Sequence, residues 1–265
     1  VHLNGRYVKI ETPNLTAGDE FPLNERDELP GGAYGTYKEG FAVGYLLGNG
    51  SATQLEGGRE QYGVTCPTGD VDCQAAMLEF FADCGATVNF RPSSNGRDSV
   101  ETSSSAAAVQ TRLHELDFEK GRLPRWCWAG GTEAFRRGVI DGLFSSDGGV
   151  DTEGVIPRIS IGSQSCERLV REVSELLGFY GIRSYVSDRV STSRTPNGNV
   201  YTGVVWMVRI NGTLGVKHFW RVFGPLTCGR KSRPLEEFYP VETPRSRDVY
   251  RVKVVSVELT DLCED

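Results

Sequence analysis

The chain has 265 residues, with 29 basic and 35 acidic side chains and a formal net charge of −6. Its 38% hydrophobic and 10% aromatic content is enough for a packed core and excludes global disorder, and its length fits one large domain or two modest ones. No apolar run reaches the roughly 18 residues needed to cross a bilayer, and the start VHLNGRYVKI lacks the basic and apolar regions of a signal peptide, so an intracellular chain without membrane contact is expected. An acidic total speaks against a polyanion partner unless the charge is unevenly spread. It is uneven. Residues 150–235 carry 12 basic against 6 acidic side chains, between acidic flanks. Such a block is either an electrostatic footprint for DNA or a solvated basic face. The seven cysteines include no Cys-x-x-Cys pair, and His2, His114 and His218 are scattered. Reduced thiols are expected rather than a zinc site or a disulfide framework.

In chain order, KEGFAVGYLLG (38–48) predicts a short helix, closed by Gly48-Asn49-Gly50. A strand over Glu60–Cys66 and a helix over Val71–Asp83 follow. Then come Gly85, a polar hairpin over Thr87–Thr102 and a helix over Ala106–Leu116. Ninety-eight positions after the first motif the pattern returns: 134–148 reads AFRRGVIDGLFSSDG, closed by Ser146-Asp147-Gly148. It is followed by a strand (Ile156–Ser163), a helix (Ser165–Leu177), two strands (Ile182–Ser191 and Tyr201–Ile210) and a helix (Leu214–Phe223). Each half reads αβαββα with the strand count open, giving an α+β protein of two pseudo-symmetric halves. Gly44 and Gly48 in the first motif, and Gly138, Gly142 and Ser146 in the second, lie four apart and share one helix face. Glycine costs helix stability, so two such stripes predict two helices packed backbone to backbone. Each helix ends on a polar residue before a glycine, as at a helix C-cap.

The strand Ile182–Ser191 places Arg183, Tyr185, Ser187, Arg189 and Ser191 on one face, and Ile182, Val186 and Val190 on the other. A sheet backed by helices and studded with Arg and Tyr suits a DNA groove, where arginine reads guanine bidentately. The alternative is an ordinary solvated sheet face. The loop SRTPNGN adds Arg194, Asn197 and Asn199, and RPSSNGR in the first half offers Arg91, Asn95 and Arg97. Arg59, Arg158 and Arg209 complete the candidate DNA-binding set.

GFAVGYLLGNGS and FRRGVIDGLFSSDGGV resemble the two motifs of a LAGLIDADG homing endonuclease, in the dodecapeptide form found inside inteins. GRLPRWCW (121–128), LVREVSELLGFYGI (169–182) and FWRVFGPLTCGRKSRPLEEF (219–238) resemble further blocks of that family, the last its closing helix and lysine. The ends, GRYVKIETPNLTAGDEFPL (5–23) and YRVKVVSVELTDLCED (250–265), resemble pieces of the intein splicing fold without its splicing residues. The resemblance divides the chain into a splicing-domain stub (1–36), two LAGLIDADG halves (37–132 and 133–240) and a second stub (241–265). It implies a DNA-binding saddle of two antiparallel sheets with the motif helices packed at its centre. The monomer would act on a long double-stranded DNA site. In the full protein it would be joined to a splicing domain and a host protein.

The resemblance also implies the chemistry. The residue ending each motif helix is normally a carboxylate holding Mg²⁺ at a scissile phosphate, a hard cation that prefers carboxylate and phosphate oxygens. Asp147 fills that position in the second motif, whereas the first has Asn49; Gly48 and Ser146 complete the metal candidates. Asparagine offers a carbonyl oxygen but no charge. Asn49 is a natural variant still able to cut, a decay product, or a substitution that traps uncut DNA. The family's basic residue of the GRLPRW-like block falls on Gly121, so Lys120 is the stand-in, and Lys231 in CGRKSRP matches its second-half counterpart. Three functions stay open: an endonuclease, a DNA-binding protein that does not cut, and a structural remnant of protein splicing.

Overall fold

A computed structural model describes residues 2–3, 6–7, 20–23, 29–54, 60–92, 99–154, 156–164, 166–194, 200–239 and 250–253. Three short strands come first: β1 (His2–Leu3), β2 (Arg6–Tyr7) and β3 (Glu20–Leu23). The first half then runs α1 (Tyr37–Asn49), β4 (Gly50–Gln54), β5 (Glu60–Pro67), α2 (Val71–Asp83), β6 (Asn89–Pro92), β7 (Ser99–Ser104) and α3 (Ala107–Glu115). After a 3₁₀ turn (Arg125–Cys127), the second half runs α4 (Glu133–Asp147), β8 (Gly149–Asp151), β9 (Arg158–Gln164), α5 (Glu167–Phe179), β10 (Tyr185–Arg194), β11 (Val200–Ile210) and α6 (Thr213–Phe223). Helix α7 (Gly229–Phe238) and strand β12 (Tyr250–Lys253) close the series.

Residues 28–242 form one compact unit; residues 1–27 and 243–265 form another. In the smaller unit β1 pairs with β2, and β3 pairs antiparallel with β12, Leu23 opposite Tyr250. In the larger unit the two four-stranded sheets have the same antiparallel topology, β4-β5-β7-β6 and β8-β9-β11-β10. The expected α+β class and internal repeat are therefore present, with one further strand per half. Both extra strands, β4 (GSATQ) and β8 (GVD), are short edge strands leaving directly from a motif helix. Neither has the apolar alternation that announces a strand.

Threonine starts both motif helices. The Thr36 hydroxyl accepts from the Glu39 backbone N–H at 3.3 Å, while the Glu39 carboxylate accepts from the Thr36 N–H at 2.8 Å, a reciprocal capping box. Thr132 caps α4 by accepting from Phe135 N at 3.0 Å. Residues 40–47 are all buried, so α1 is surrounded on every side. The helices touch through their glycines. A Cβ on Gly44 would lie 2.2 Å from the Val139 carbonyl oxygen, and one on Gly142 would lie 2.2 Å from that of Phe41. Gly40 against Phe135 (2.1 Å) and Gly138 against Tyr37 (2.2 Å) repeat the relation one turn earlier. In each pair one contact maps onto the other by a shift of 98 positions, as a two-fold relation between the helices requires.

Two expectations change. The terminal glycines, Gly50 (φ −79°) and Gly148 (φ −88°), are extended rather than left-handed. Their lack of a side chain serves instead a sharp exit into the strand. A Cβ there would lie 2.3 Å from the Leu46 carbonyl oxygen and 2.5 Å from that of Phe144. The predicted helix Leu214–Phe223 is present as α6, but the block 219–238, read by resemblance as one closing helix, also holds a second, α7; the two part at Gly224-Pro225, where proline has no N–H to continue the helix. No helix among the described residues is long and apolar enough to cross a membrane, and the six described cysteines are free thiols.

Candidate active site

Packing the glycine faces brings the C-terminal ends of α1 and α4 together. A Cβ on Gly48 would lie 2.0 Å from Ser146 Oγ and 3.3 Å from Asp147 Oδ2. Each end is met by one lysine. Lys120 Nζ donates to the carbonyl oxygens of Leu47 (2.9 Å) and Gly48 (3.2 Å). Lys231 Nζ donates to those of Ser145 (2.8 Å) and Ser146 (2.7 Å). The two carbonyl pairs are again 98 positions apart. Lys120 thus makes, at the end of α1, the contacts that Lys231 makes at the end of α4. These last-turn carbonyls have no partner inside the helix and sit at the negative end of its dipole, so an ammonium is a favourable partner.

The supports differ. Lys120 follows α3 and precedes Gly121, whose φ of +91° suits a residue without a side chain. A Cβ on Gly121 would lie 3.1 Å from Cys166 Sγ, and the Cys166 thiol donates to the Gly121 carbonyl at 3.1 Å. Position 121 is thus a turn glycine, and the lysine one residue earlier reaches the helix end. Lys231 stands in the first turn of α7.

The electrostatics follow from burial. Asp147 is half-buried, and desolvation pushes its carboxyl above the ordinary value, against the pull of Lys231 and Lys120. Burial likewise lowers both lysines. The first helix end has no charge to match, because Asn49 stands where Asp147 stands in the second.

The second-half sheet has two distinct faces. Ile159, Ile161, Val208 and Ile210 enter the core. On the other face Tyr185 pairs with Arg209, and Arg209 with Ser160. Arg209 Nε donates to Ser187 Oγ at 3.0 Å, and Asn211 Nδ2 donates to the Tyr185 hydroxyl at 2.9 Å. Arg189 lies on this face further along β10, and Arg158 lies two residues from Ser160, 4.0 Å from Asp151. Arg183 is exposed just before β10. The strand therefore begins three residues later than Ile182: Ile182 and Ser184 are buried in the approach to the sheet. In the first half the outward residues of β4 and β5 include Ser51, Thr53, Gln61 and Thr65, with no lysine or arginine on either strand. Arg91 pairs with Glu101 in backbone register, and Arg194 with Val200. Arg59, Asn95, Arg97, Asn197 and Asn199 lie outside the described residues.

Sequence reasoning passes over Asp141. It is fully buried in α4 and accepts hydrogen bonds from Tyr37, Ser145 and Thr227. A signal for it exists, since a carboxylate in the middle of an apolar helix must find donors.

A family model described as LAGLIDADG-like domain matches residues 134–224. The homing endonuclease I-DmoI crystallised with DNA and calcium superposes with a TM-score of 0.50 at 15% identity, covering 76% of this chain and 97% of that one. A mesophilic variant of I-DmoI gives 0.49 at 14% identity, over 72% and 97%. The homing endonuclease I-WcaI bound to its DNA recognition sequence gives 0.47 at 12% identity, over 76% and 88%. No curated protein matches the sequence. Residues 134–224 therefore carry a LAGLIDADG-like domain, within an α+β fold similar to that of the LAGLIDADG homing endonucleases.

Proposed function

We propose that this chain is a site-specific DNA endonuclease of intein origin, cutting at the paired ends of α1 and α4 and weakened at the first of them by Asn49. The observation that supports this reading most is the two-fold pair of lysine-capped helix ends, with Asp147 at one and Asn49 at the other. The donors there are oxygens: the Asp147 carboxylate, the Asn49 amide and the carbonyls of Gly48 and Ser146. Among the described residues no three His, Cys, Asp or Glu side chains cluster. A single carboxylate completed by phosphate oxygens suits Mg²⁺ better than an all-protein cage does. The donor set therefore fits one divalent cation at the α4 end, whereas the α1 end offers only neutral donors. When bound, the cation would supply charge stabilisation at a phosphoryl oxygen. Asp147 would hold it, and Lys231 and Lys120 would hold protons beside the developing charge.

Grip on DNA comes on this reading from the second-half face bearing Tyr185, Arg189, Arg158 and Arg209. The outlying Arg59, Arg91, Asn95, Arg97, Arg194, Asn197 and Asn199 would extend it along the duplex. Asn49 also favours a second reading, a DNA-binding protein that nicks or does not cut. A supercoiled plasmid carrying the uninterrupted host-gene site separates the two, with nicked and linear products followed apart. Asn49→Asp is expected to speed linearisation and Asp147→Ala to abolish cutting. Full double-strand cutting by Asp147→Ala, or no gain from Asn49→Asp, would place the chemistry elsewhere.

A further inference from the structure

The two lysines make the same contacts but are not held the same way. Lys231 stands in the first turn of α7, and the segment leading into that helix is tied to the interior of α4. Asp141 is the anchor. It is 0% exposed, and no lysine or arginine is hydrogen-bonded to it among the described residues. Its oxygens accept from the Tyr37 hydroxyl, from Ser145 Oγ at 2.9 Å, from Thr227 N at 2.9 and 3.2 Å, and from Thr227 Oγ1 at 2.6 Å. Ser145 Oγ in turn accepts from Cys228 N at 3.3 Å. The Cys228 carbonyl then accepts from the backbone N–H groups of Lys231 (3.1 Å) and Ser232 (3.0 Å). The Lys231 side chain returns to Ser145 and Ser146, closing a ring of bonds from the middle of α4 to its end. In the first half, 98 positions earlier, Val43 stands where Asp141 does and Leu47 where Ser145 does. No such ring can form there.

We propose that Asp141 is a positioning residue. Through Thr227 and Cys228 it fixes the start of α7 and so holds the Lys231 ammonium on the last-turn carbonyls beside Asp147. Four neighbouring donors explain how a carboxylate can stand buried between Val139 and Ile140 on one side and Leu143 and Phe144 on the other. A buried acceptor that satisfies several donors sets one geometry, and losing it leaves each donor unpaired. The consequence for cutting rests on the nuclease reading above; the placement of Lys231 does not.

The test is competitive acetylation of the folded, metal-free chain with a water-soluble succinimidyl acetate, read at each lysine by peptide mass spectrometry. Lys120 serves as the internal reference. Asp141→Asn and Thr227→Val are expected to raise acetylation of Lys231 at least fivefold while that of Lys120 stays within twofold. Thr227→Ser, which keeps the hydroxyl, is expected to match the parent. An unchanged Lys231, or an equal rise at both lysines, overturns the proposal, the second outcome marking general loosening. If the parent cuts the plasmid, Asp141→Asn should slow the step at least tenfold with DNA affinity within twofold. If the parent and its Asn49→Asp form never cut, the nuclease reading falls, and the acetylation ratio still decides the role of Asp141.

Discussion

Gly142→Ala isolates the helix contact on which the paired ends depend. Its new Cβ would lie 2.2 Å from the Phe41 carbonyl oxygen, 2.6 Å from Tyr45 N and 2.9 Å from Gly44 C. All three are backbone atoms, so no side chain can swing aside. Restoring ordinary contact moves α1 and α4 apart by about 1 Å, and overpacking of this kind costs about 1–3 kcal/mol. Alanine returns up to about 1 kcal/mol of helix propensity over glycine. With backbone on three sides the cost lies at the upper end, leaving a net loss of about 2 kcal/mol. At roughly 2–4 °C per kcal/mol for a unit of this size, the melting temperature falls by about 4–8 °C. Gly178→Ala in α5 is the matched control. Its Cβ meets nothing within 4 Å, so the same exchange should raise the melting temperature by up to about 4 °C. Circular dichroism melts of the two variants beside the parent are sufficient. A Gly142→Ala protein as stable as the parent would refute the close-packed interface, whatever its activity.

Arg183→Ala with Arg189→Ala should weaken DNA binding by about 1–3 kcal/mol for each base edge that is no longer read, and the parent's log affinity should fall with log salt at about −0.9 per neutralised phosphate. Fluorescence anisotropy across a salt series reads both, and a flat salt response would remove the sheet from the interface. Asp147 has a raised folded value, so the fold prefers its protonated form and loses stability as pH rises from the unfolded carboxyl value through the folded one. Asp147→Asn should therefore melt higher than the parent at neutral pH, with the gain vanishing in acid below the ordinary carboxylate range; a gain independent of pH would contradict the buried-charge explanation. Lys120→Met should impair nicking of one strand and Lys231→Met the other, in an end-labelled duplex assay. Identical strand patterns would dissolve their two-fold equivalence.

The motif helices were legible because their glycines recur at the helical period, and close backbone packing is the main reason to tolerate that many glycines in a helix. Helix α5 was legible through Leu169, Val170, Val173, Leu176 and Leu177, one apolar stripe that is buried as the pattern requires. Strands β4 and β8 were not, because edge strands of three to five residues without apolar alternation leave no periodic signal. The end of α6 at Phe223 was legible because Gly224-Pro225 follows it, whereas α7 was not, since GRKSRPLEEF buries only Ser232 and Leu235 and has no apolar stripe. The contacts of Lys120 could not be read locally: they depend on where the turn after α3 delivers the chain, which is a matter of tertiary path. Asp141 shows a different limit. Composition marks a buried carboxylate as an anomaly, yet its donors come from residues 4 to 104 positions away in sequence.

The pairing of β3 with β12 sets an order of events during synthesis. Leu23 finds its partner Tyr250 only after more than two hundred further residues have been made. At about 5–20 residues per second this is a delay of roughly 10–45 s, long compared with the folding of the sheets and helices encoded between them. Throughout that interval β3 is an unpaired strand, open to association with other nascent chains. Its sequence EFPL includes Pro22, which offers no N–H, so one donor of a competing ladder is missing. In the finished unit Pro22 stands opposite Arg251. A residue that offers a competing strand no donor thus protects β3 while it waits, and replacing it by alanine should show first as aggregation of the newly made chain.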